Sequence, residues 1–188
     1  VGRFAEDARH RIWVATDDAG VDCFDPATDS FVDFPGKQAI ARYNVHVLLA
    51  EGDNLWIGTY SNGVFRMSLS SGALKAFPAL DGALSSSCYC LFRDSRRRLW
   101  ATSMSGACMI DEQKQTFRQV KSFNSLTIDI KEDKKGNIWF ATQGNGLWCY
   151  RRNKTWKQYL NDANDTTSIC SNQVNCVQED SKGRLLVA

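Results

Sequence analysis

The chain has 188 residues, 43% of them apolar, enough to bury a core within one domain of ordinary size. Its 23 basic and 21 acidic residues leave a formal charge of +2, which excludes any global pull toward nucleic acid or an anionic membrane. No apolar run reaches the length that spans a bilayer.

Along the chain, one pattern returns. Ile12-Trp13 is followed by Thr16 and Gly20, Leu55-Trp56 by Thr59 and Gly63, Leu99-Trp100 by Thr102 and Gly106, and Ile138-Trp139 by Thr142 and Gly146. A fifth copy opens at Leu185-Leu186. The Trp-to-Trp steps are 43, 44 and 39 residues, a period that marks a repeat architecture. The sequence begins at Val1 and stops inside a copy, so the expectation is a piece of a longer protein.

Each copy reads as four short strands. The first is β-branched or apolar and ends in an acidic pair or its remnant: Val45 to Glu51, Cys88 to Asp94, Ile128 to Asp133, Val174 to Asp180. A polar turn such as Lys134-Lys135-Gly136-Asn137 leads to the Trp strand, for example Ile138 to Thr142. The third strand follows the Gly, as in Gly20 to Asp25 and Gly146 to Tyr150. The fourth ends in aromatic or apolar residues: Phe31 to Phe34, Leu74 to Phe77, Phe117 to Val120, Trp156 to Tyr159. Strands this short and regular, with no sustained helical period, predict an all-β fold of four-stranded antiparallel β-propeller blades. The predicted blades are 1–40, 41–83, 84–123 and 124–170, with the start of a fifth over 171–188, making one incomplete propeller. An uncapped blade exposes apolar surface, so an open arc is expected, or one whose exposed face another chain covers by self-association.

The repeated residues carry structural work. Trp13, Trp56, Trp100 and Trp139 bury large surfaces between sheets, and the Thr bonds a turn backbone group. The Gly meets a positive φ or a close backbone approach. Asp7, Asp94, Asp133 and Asp180 cap the turn after the first strand. Seven cysteines, several at matched repeat positions, read as free and buried small hydrophobes, with Cys170 and Cys176 the one pair to examine for a bond.

Catalytic and metal constellations are missing. The two histidines, His10 and His46, stand in a turn and a first strand, and no paired-Cys zinc spacing or Gly-rich phosphate loop occurs. Asp162, Asn164 and Asp165 lack the Gly and distal Glu of a calcium loop. No cofactor and no metal are expected.

The run Glu132 to Tyr150 (EDKKGNIWFATQGNGLWCY) closely resembles the two-component regulator propeller repeat, as does Leu55-Trp56-Ile57-Gly58-Thr59. Repeat three departs, losing a residue between Trp100 and Thr102 and carrying Arg98 for the turn Gly. Repeat two shortens its turn at Gly52 to Asn54. The resemblance implies the periplasmic sensor region of a bacterial hybrid histidine kinase, responding to a glycan fragment, with membrane attachment and kinase supplied by other parts of the parent chain. The repeat is also similar to blades of streptogramin-lyase-like enzymes, which use a central His; His46 is the strand histidine available. A scaffold that only binds proteins is a third possibility.

A ligand surface is expected where the turns between strands two and three meet the inter-blade loops on one face. Its candidate residues are Asp17 and Asp18, Lys37, Arg42 and Tyr43, Tyr60 and Asn62, and Gln143 and Asn145. Tyr43 and Tyr60 offer rings for stacking on an oligosaccharide or other small ligand, and the polar groups offer hydrogen bonds.

Overall fold

In the computed structural model, which describes residues 3–77, 86–104 and 106–188, each Trp motif becomes the second strand of a four-stranded meander. The first sheet contains β1 (Phe4–Glu6), β2 (Ile12–Thr16), β3 (Gly20–Asp25) and β4 (Ser30–Val32). A short helix, α1 (Lys37–Ile40), leads to the second, with β5 (Val45–Glu51), β6 (Asn54–Thr59), β7 (Val64–Ser68) and β8 (Leu74–Phe77). The third holds β9 (Cys90–Arg93), β10 (Leu99–Ser103), β11 (Gly106–Asp111) and β12 (Thr116–Lys121). The fourth holds β13 (Thr127–Glu132), β14 (Ile138–Thr142), β15 (Leu147–Tyr150) and β16 (Trp156–Tyr159). β17 (Val177–Glu179) and β18 (Leu185–Val187) form a two-stranded start of a fifth. Every sheet runs antiparallel in sequence order, and among the described residues no sheet joins β1 to β17 or β18. The arc is an open, incomplete propeller. The expected boundary at 83/84 lies outside the described residues.

Successive first strands touch one another, β1 with β5, β5 with β9, β9 with β13 and β13 with β17, so they line the axis. Arg3 reaches across this axis, pairing with Asp129 at 3.6 Å and donating to the Ile128 carbonyl. Asp129 also accepts the Val177 amide at 3.0 Å, tying the first, fourth and fifth units together.

The core lies between sheets. Trp13, Ala15, Val21 and Cys23 of the first sheet pack on Leu48, Leu55, Ile57, Phe65 and Met67 of the second. Trp56, Val64 and Phe77 pack likewise on Leu91, Leu99, Cys108 and Ile110. Trp100 and Ala107 meet Ile130, Ile138 and Phe140. Each buried indole contributes on the order of 3 kcal/mol by area alone.

The repeated acids do more than cap turns. Asp94 Oδ1 accepts the amides of Arg96 (3.0 Å) and Arg98 (2.8 Å), while Oδ2 accepts Arg98 Nε (2.6 Å) and the Trp100 indole (2.8 Å). Asp7 with Trp13 and Asp133 with Trp139 repeat the arrangement, each indole bond being 2.9 Å. Asp180 keeps the turn amides but has Leu186 where the others have Trp. The preceding glutamate has a separate task. Glu132 accepts the Ser95 amide and hydroxyl of the previous blade, and Glu179 accepts the Lys134 amide, all between 2.7 and 2.8 Å. Where the third repeat carries Arg93 instead, the link becomes an ion pair to Glu51 at 2.7 Å.

Thr16, Thr59 and Thr142 donate to the carbonyls of Gly20, Gly63 and Gly146 at 3.0, 2.9 and 2.6 Å. Thr102 does not; it bonds Thr127 of the next blade at 3.1 Å. Register explains why. Ser103, not Thr102, stands opposite Gly106, as Thr16 stands opposite Gly20. The residue missing from repeat three is therefore in the turn, not in the Trp strand as the spacing suggests. Gly20 needs both properties at once: its φ is 75°, and a Cβ would run into the Ile40 carbonyl.

The structure departs from the sequence reading at two further points. The inter-blade segment contains α1, which buries Ile40 beneath Gly20. All seven cysteines are free, but only Cys23, Cys88, Cys90, Cys108 and Cys149 are buried. Cys170 and Cys176 are exposed and unbonded, because the two-stranded fifth unit buries less than a full sheet.

Candidate functional site

One end of the arc gathers the turns between second and third strands with the inter-blade segments. Backbone bonds stitch them: Gly20 N–H to the Tyr43 carbonyl (3.0 Å), Tyr60 to Asn44 (3.0 Å), Gly63 to Ser86 (2.8 Å) and Gln143 to Leu126 (2.9 Å). These bonds tie the loops of the upper face to paired strands.

Its most distinctive group is aromatic. The His46 ring sits between Tyr60 and Tyr89, with centroids 5.2 and 5.3 Å away. The pairing of β5 with β6 slips between Val45 and Val47, leaving His46 at a bulge that re-aims its side chain. Leu49 faces Trp56 as Phe92 faces Trp100, so Tyr89 occupies the position of His46 one blade later. Burial lowers the His46 pKa, and the Asp17 carboxylate only partly restores it, so the ring is neutral at pH 7. Tyr60 is 51% exposed.

Asp17 and Asp18 extend this cluster. Asn44 Nδ2 donates to Asp18 Oδ1 at 3.4 Å, and its own Oδ1 is buried without a partner among the described residues. Asn62 is exposed on the same turn as Tyr60, its amide donating to Thr59 Oγ1 at 2.9 Å.

The other candidates lie elsewhere or are engaged. Tyr43, half-buried, makes a tilted contact with Phe65 at 4.6 Å at the edge of the first inter-sheet core, and Arg42 covers its ring, donating to the Tyr43 hydroxyl at 2.9 Å. Lys37 lines a shallow depression of about 600 Å³ and is paired with Asp22 (3.3 Å) and Asp33 (3.5 Å). Gln143 and Asn145 belong to the fourth blade. Asn145 donates to the Phe123 carbonyl and accepts Gln158 Nε2 at 3.0 Å, leaving little for a ligand. The structure thus links Asp17, Asp18 and Tyr60 through His46 and Asn44, while Lys37 is held by Asp22 and Asp33 and Asn145 by Phe123 and Gln158.

The opposite end of the arc holds a groove of about 450 Å³ lined by Ser95, Glu132, Lys134, Arg152 and Glu179. Its carboxylates are consumed by the inter-blade bonds of Ser95 and Lys134. Among the described residues no group of His, Cys, Asp and Glu is placed to hold a metal ion.

Residues 122–144 match the family profile described as two component regulator propeller. No curated protein sequence matches the chain. Among solved structures, it is similar to the extracellular domain of a hybrid two component system from B. thetaiotaomicron, at 20% identity and a TM-score of 0.85, over 100% of this chain and 25% of that one. It also resembles PorZ, a surface component of the type-IX secretion system of Porphyromonas gingivalis (16% identity, TM-score 0.76, 100% and 30% covered). A third likeness is to virginiamycin B lyase from Staphylococcus aureus (14% identity, TM-score 0.74, 100% and 63% covered). The chain spans about a quarter of the length of the first of these. At such identities the likeness is one of fold. The chain is a run of β-propeller blades that carries, at residues 122–144, a two component regulator propeller repeat.

Proposed function

We propose that these blades belong to the extracytoplasmic input region of a bacterial two-component sensor histidine kinase and bind a glycan fragment on the upper face. The observation that carries this reading is the His46, Tyr60 and Tyr89 cluster beside Asp17, Asp18 and Asn44. Aromatic faces take the apolar side of a sugar ring, while carboxylates and amides take its hydroxyls. The repeat at 122–144 and the likeness to extracellular two-component domains support the setting. On this reading the chain stands in the periplasm and the kinase acts inside the cell.

A streptogramin-lyase-like enzyme is the second reading, favoured by the position of His46 on an inner strand. Its imidazole is flanked by two phenol rings, and Asp17 acts on it only through space, an arrangement that suits binding better than proton transfer.

The test is a glycan array probed with the chain, followed by titration of any hit against Tyr60→Ala and Tyr89→Ala. Loss of affinity of about tenfold in either variant supports the site. Unchanged affinity in both moves the ligand to another face, and turnover of a hit would favour the enzyme.

A further inference from the structure

The lower end of the arc gathers the turns that join first to second strands and third to fourth. In units three to five these are residues 94–98, 112–115, 133–137, 151–155 and 180–184, which hold eleven Lys and Arg against four Asp and Glu. The matching turns of the first two sheets, 7–11, 26–29, 52–53 and 69–73, hold two against three. The formal charge of +2 for the whole chain thus conceals a strongly positive patch at one end of three units. Its four acids are engaged: Asp94, Asp133 and Asp180 hold their own turn amides, and Glu112 pairs with Arg93 at 2.7 Å.

The groove of about 450 Å³ opens in this patch, between the third, fourth and fifth units. Four cations line it: Arg96, Lys134, Lys135 and Arg152. Lys134 Nζ is spent on the carbonyls of Asp180 and Ser181, at 3.0 and 2.9 Å. Among the described residues, Arg96, Lys135 and Arg152 enter no ion pair. A Cβ at Gly136 would meet Arg152 Cδ at 3.8 Å, so the Arg152 stem crosses from its own turn to the one ahead of Trp139. The carboxylates of the groove turn toward protein donors. Glu132 takes the Ser95 amide and hydroxyl, Glu179 the Lys134 amide, and Asp133 the Lys135 and Asn137 amides with the Trp139 indole.

We propose that this groove binds a phosphate group, free in solution or as a monoester on a soluble molecule. Guanidinium forks take tetrahedral oxyanions through paired N–H bonds, and an ammonium adds a point charge. Three unpaired cations exceed the single charge of a carboxylate and suit a phosphate monoester, about −1.5 to −2 at pH 7. No exposed large apolar side chain stands in these five turns, so nothing is offered for insertion into a membrane. The proposal rests on the lower end alone and is independent of the ligand site on the upper face.

The probe is inorganic phosphate, titrated at about pH 8 and constant ionic strength against chloride, and read on the Gly136 amide by NMR. That signal should move saturably in the low millimolar range, while Gly52, in the turn between β5 and β6, stays in place. Arg96→Gln and Arg152→Gln should each weaken binding by at least about threefold, and together they should abolish saturation. Arg118→Gln, which removes an exposed cation outside the groove, should leave the affinity unchanged. Glucose 6-phosphate separates the sources: tighter binding than phosphate assigns the groove to an ester, and equal or weaker binding to the free ion. The proposal is overturned by a shift that chloride reproduces or that never saturates, or by equal affinities in the parent and both arginine variants. It is equally overturned if phosphate leaves Gly136 unmoved and only vesicles containing phosphatidic acid bind, which would make the patch a membrane-facing surface.

Discussion

Trp100 donates its indole N–H to Asp94 Oδ2 at 2.8 Å, six residues away, across the hairpin that joins the first and second strands of its blade. The same carboxylate holds two turn amides and the Arg98 guanidinium, so one buried acid fixes both the turn and the large side chain that fills the inter-sheet core. Removing it leaves the buried Trp100 indole N–H and three part-buried donors of Arg96 and Arg98 without their acceptor. Asp94→Ala should cost about 3 kcal/mol in chemical denaturation, and Trp100→Phe, which deletes only the indole donor while keeping an aromatic ring, about 1–2 kcal/mol. Asp180→Ala, in a unit without the Trp, should cost far less.

Acid should undo this device. Burial alone would raise the carboxyls of Asp7 and Asp133, but the Trp13 indole and Arg9 amide, and the Asn137 and Trp139 side chains, outweigh it and hold both below 3.8. The folded state therefore binds fewer protons than the unfolded chain through this range. The contribution is complete above pH 3.8 and is lost as pH falls through the lowered native values. Denaturation curves from pH 5 to 2 should steepen in the parent and flatten in Asp133→Asn.

His46 gives a second, higher window. Burial lowers its pKa below 6.5, so the unfolded chain takes up its proton first on acidification. Stability from this site is complete above pH 6.5 and falls as pH drops from there through the native pKa. His46→Gln should remove the slope between pH 7 and 5 without changing the lower-pH limb.

Thiol chemistry separates the buried cysteines from the exposed pair. Burial pushes the thiols of Cys90 and Cys149 up to about 11 and that of Cys108 to about 12. In the native protein only Cys170 and Cys176 should react with a thiol reagent at pH 8. All seven should react after unfolding. Rapid labelling of Cys108 in the native state would contradict the packing described.

Most of the architecture was legible because each blade states the same physics. The Trp strand Ile138–Thr142 and the strands Val45–Glu51, Gly20–Asp25, Leu74–Phe77 and Trp156–Tyr159 form where their patterning predicts. The misassignment in repeat three arose because Thr102 imitates the terminal Thr; only strand pairing shows that Ser103 holds that place. The helix at Lys37–Ile40 escaped because four residues are too few to show a period. For the site, loop position brought Asp17, Asp18 and Tyr60 forward together with Tyr43, whose partly buried ring rests against Phe65 at the edge of the first core. Tyr89 was missed although a signal existed: it falls at the repeat position of His46, at the mouth of the axis. Fidelity to the repeat is a guide to packing, and His46, Tyr60 and Tyr89, which break it, stand together on the upper face.

The chain contains two histidines, which makes the central claim directly measurable. His10 bonds Glu6 at 2.6 Å in the turn between first and second strands, at the end of the arc away from the site, and serves as an internal reference. A histidine-selective NMR titration with the oligosaccharides retained on the array should move the His46 ring signals in a saturable manner and leave those of His10 in place. Binding that leaves His46 unmoved, or that shifts both histidines alike, would contradict a ligand site built on His46, Tyr60 and Tyr89.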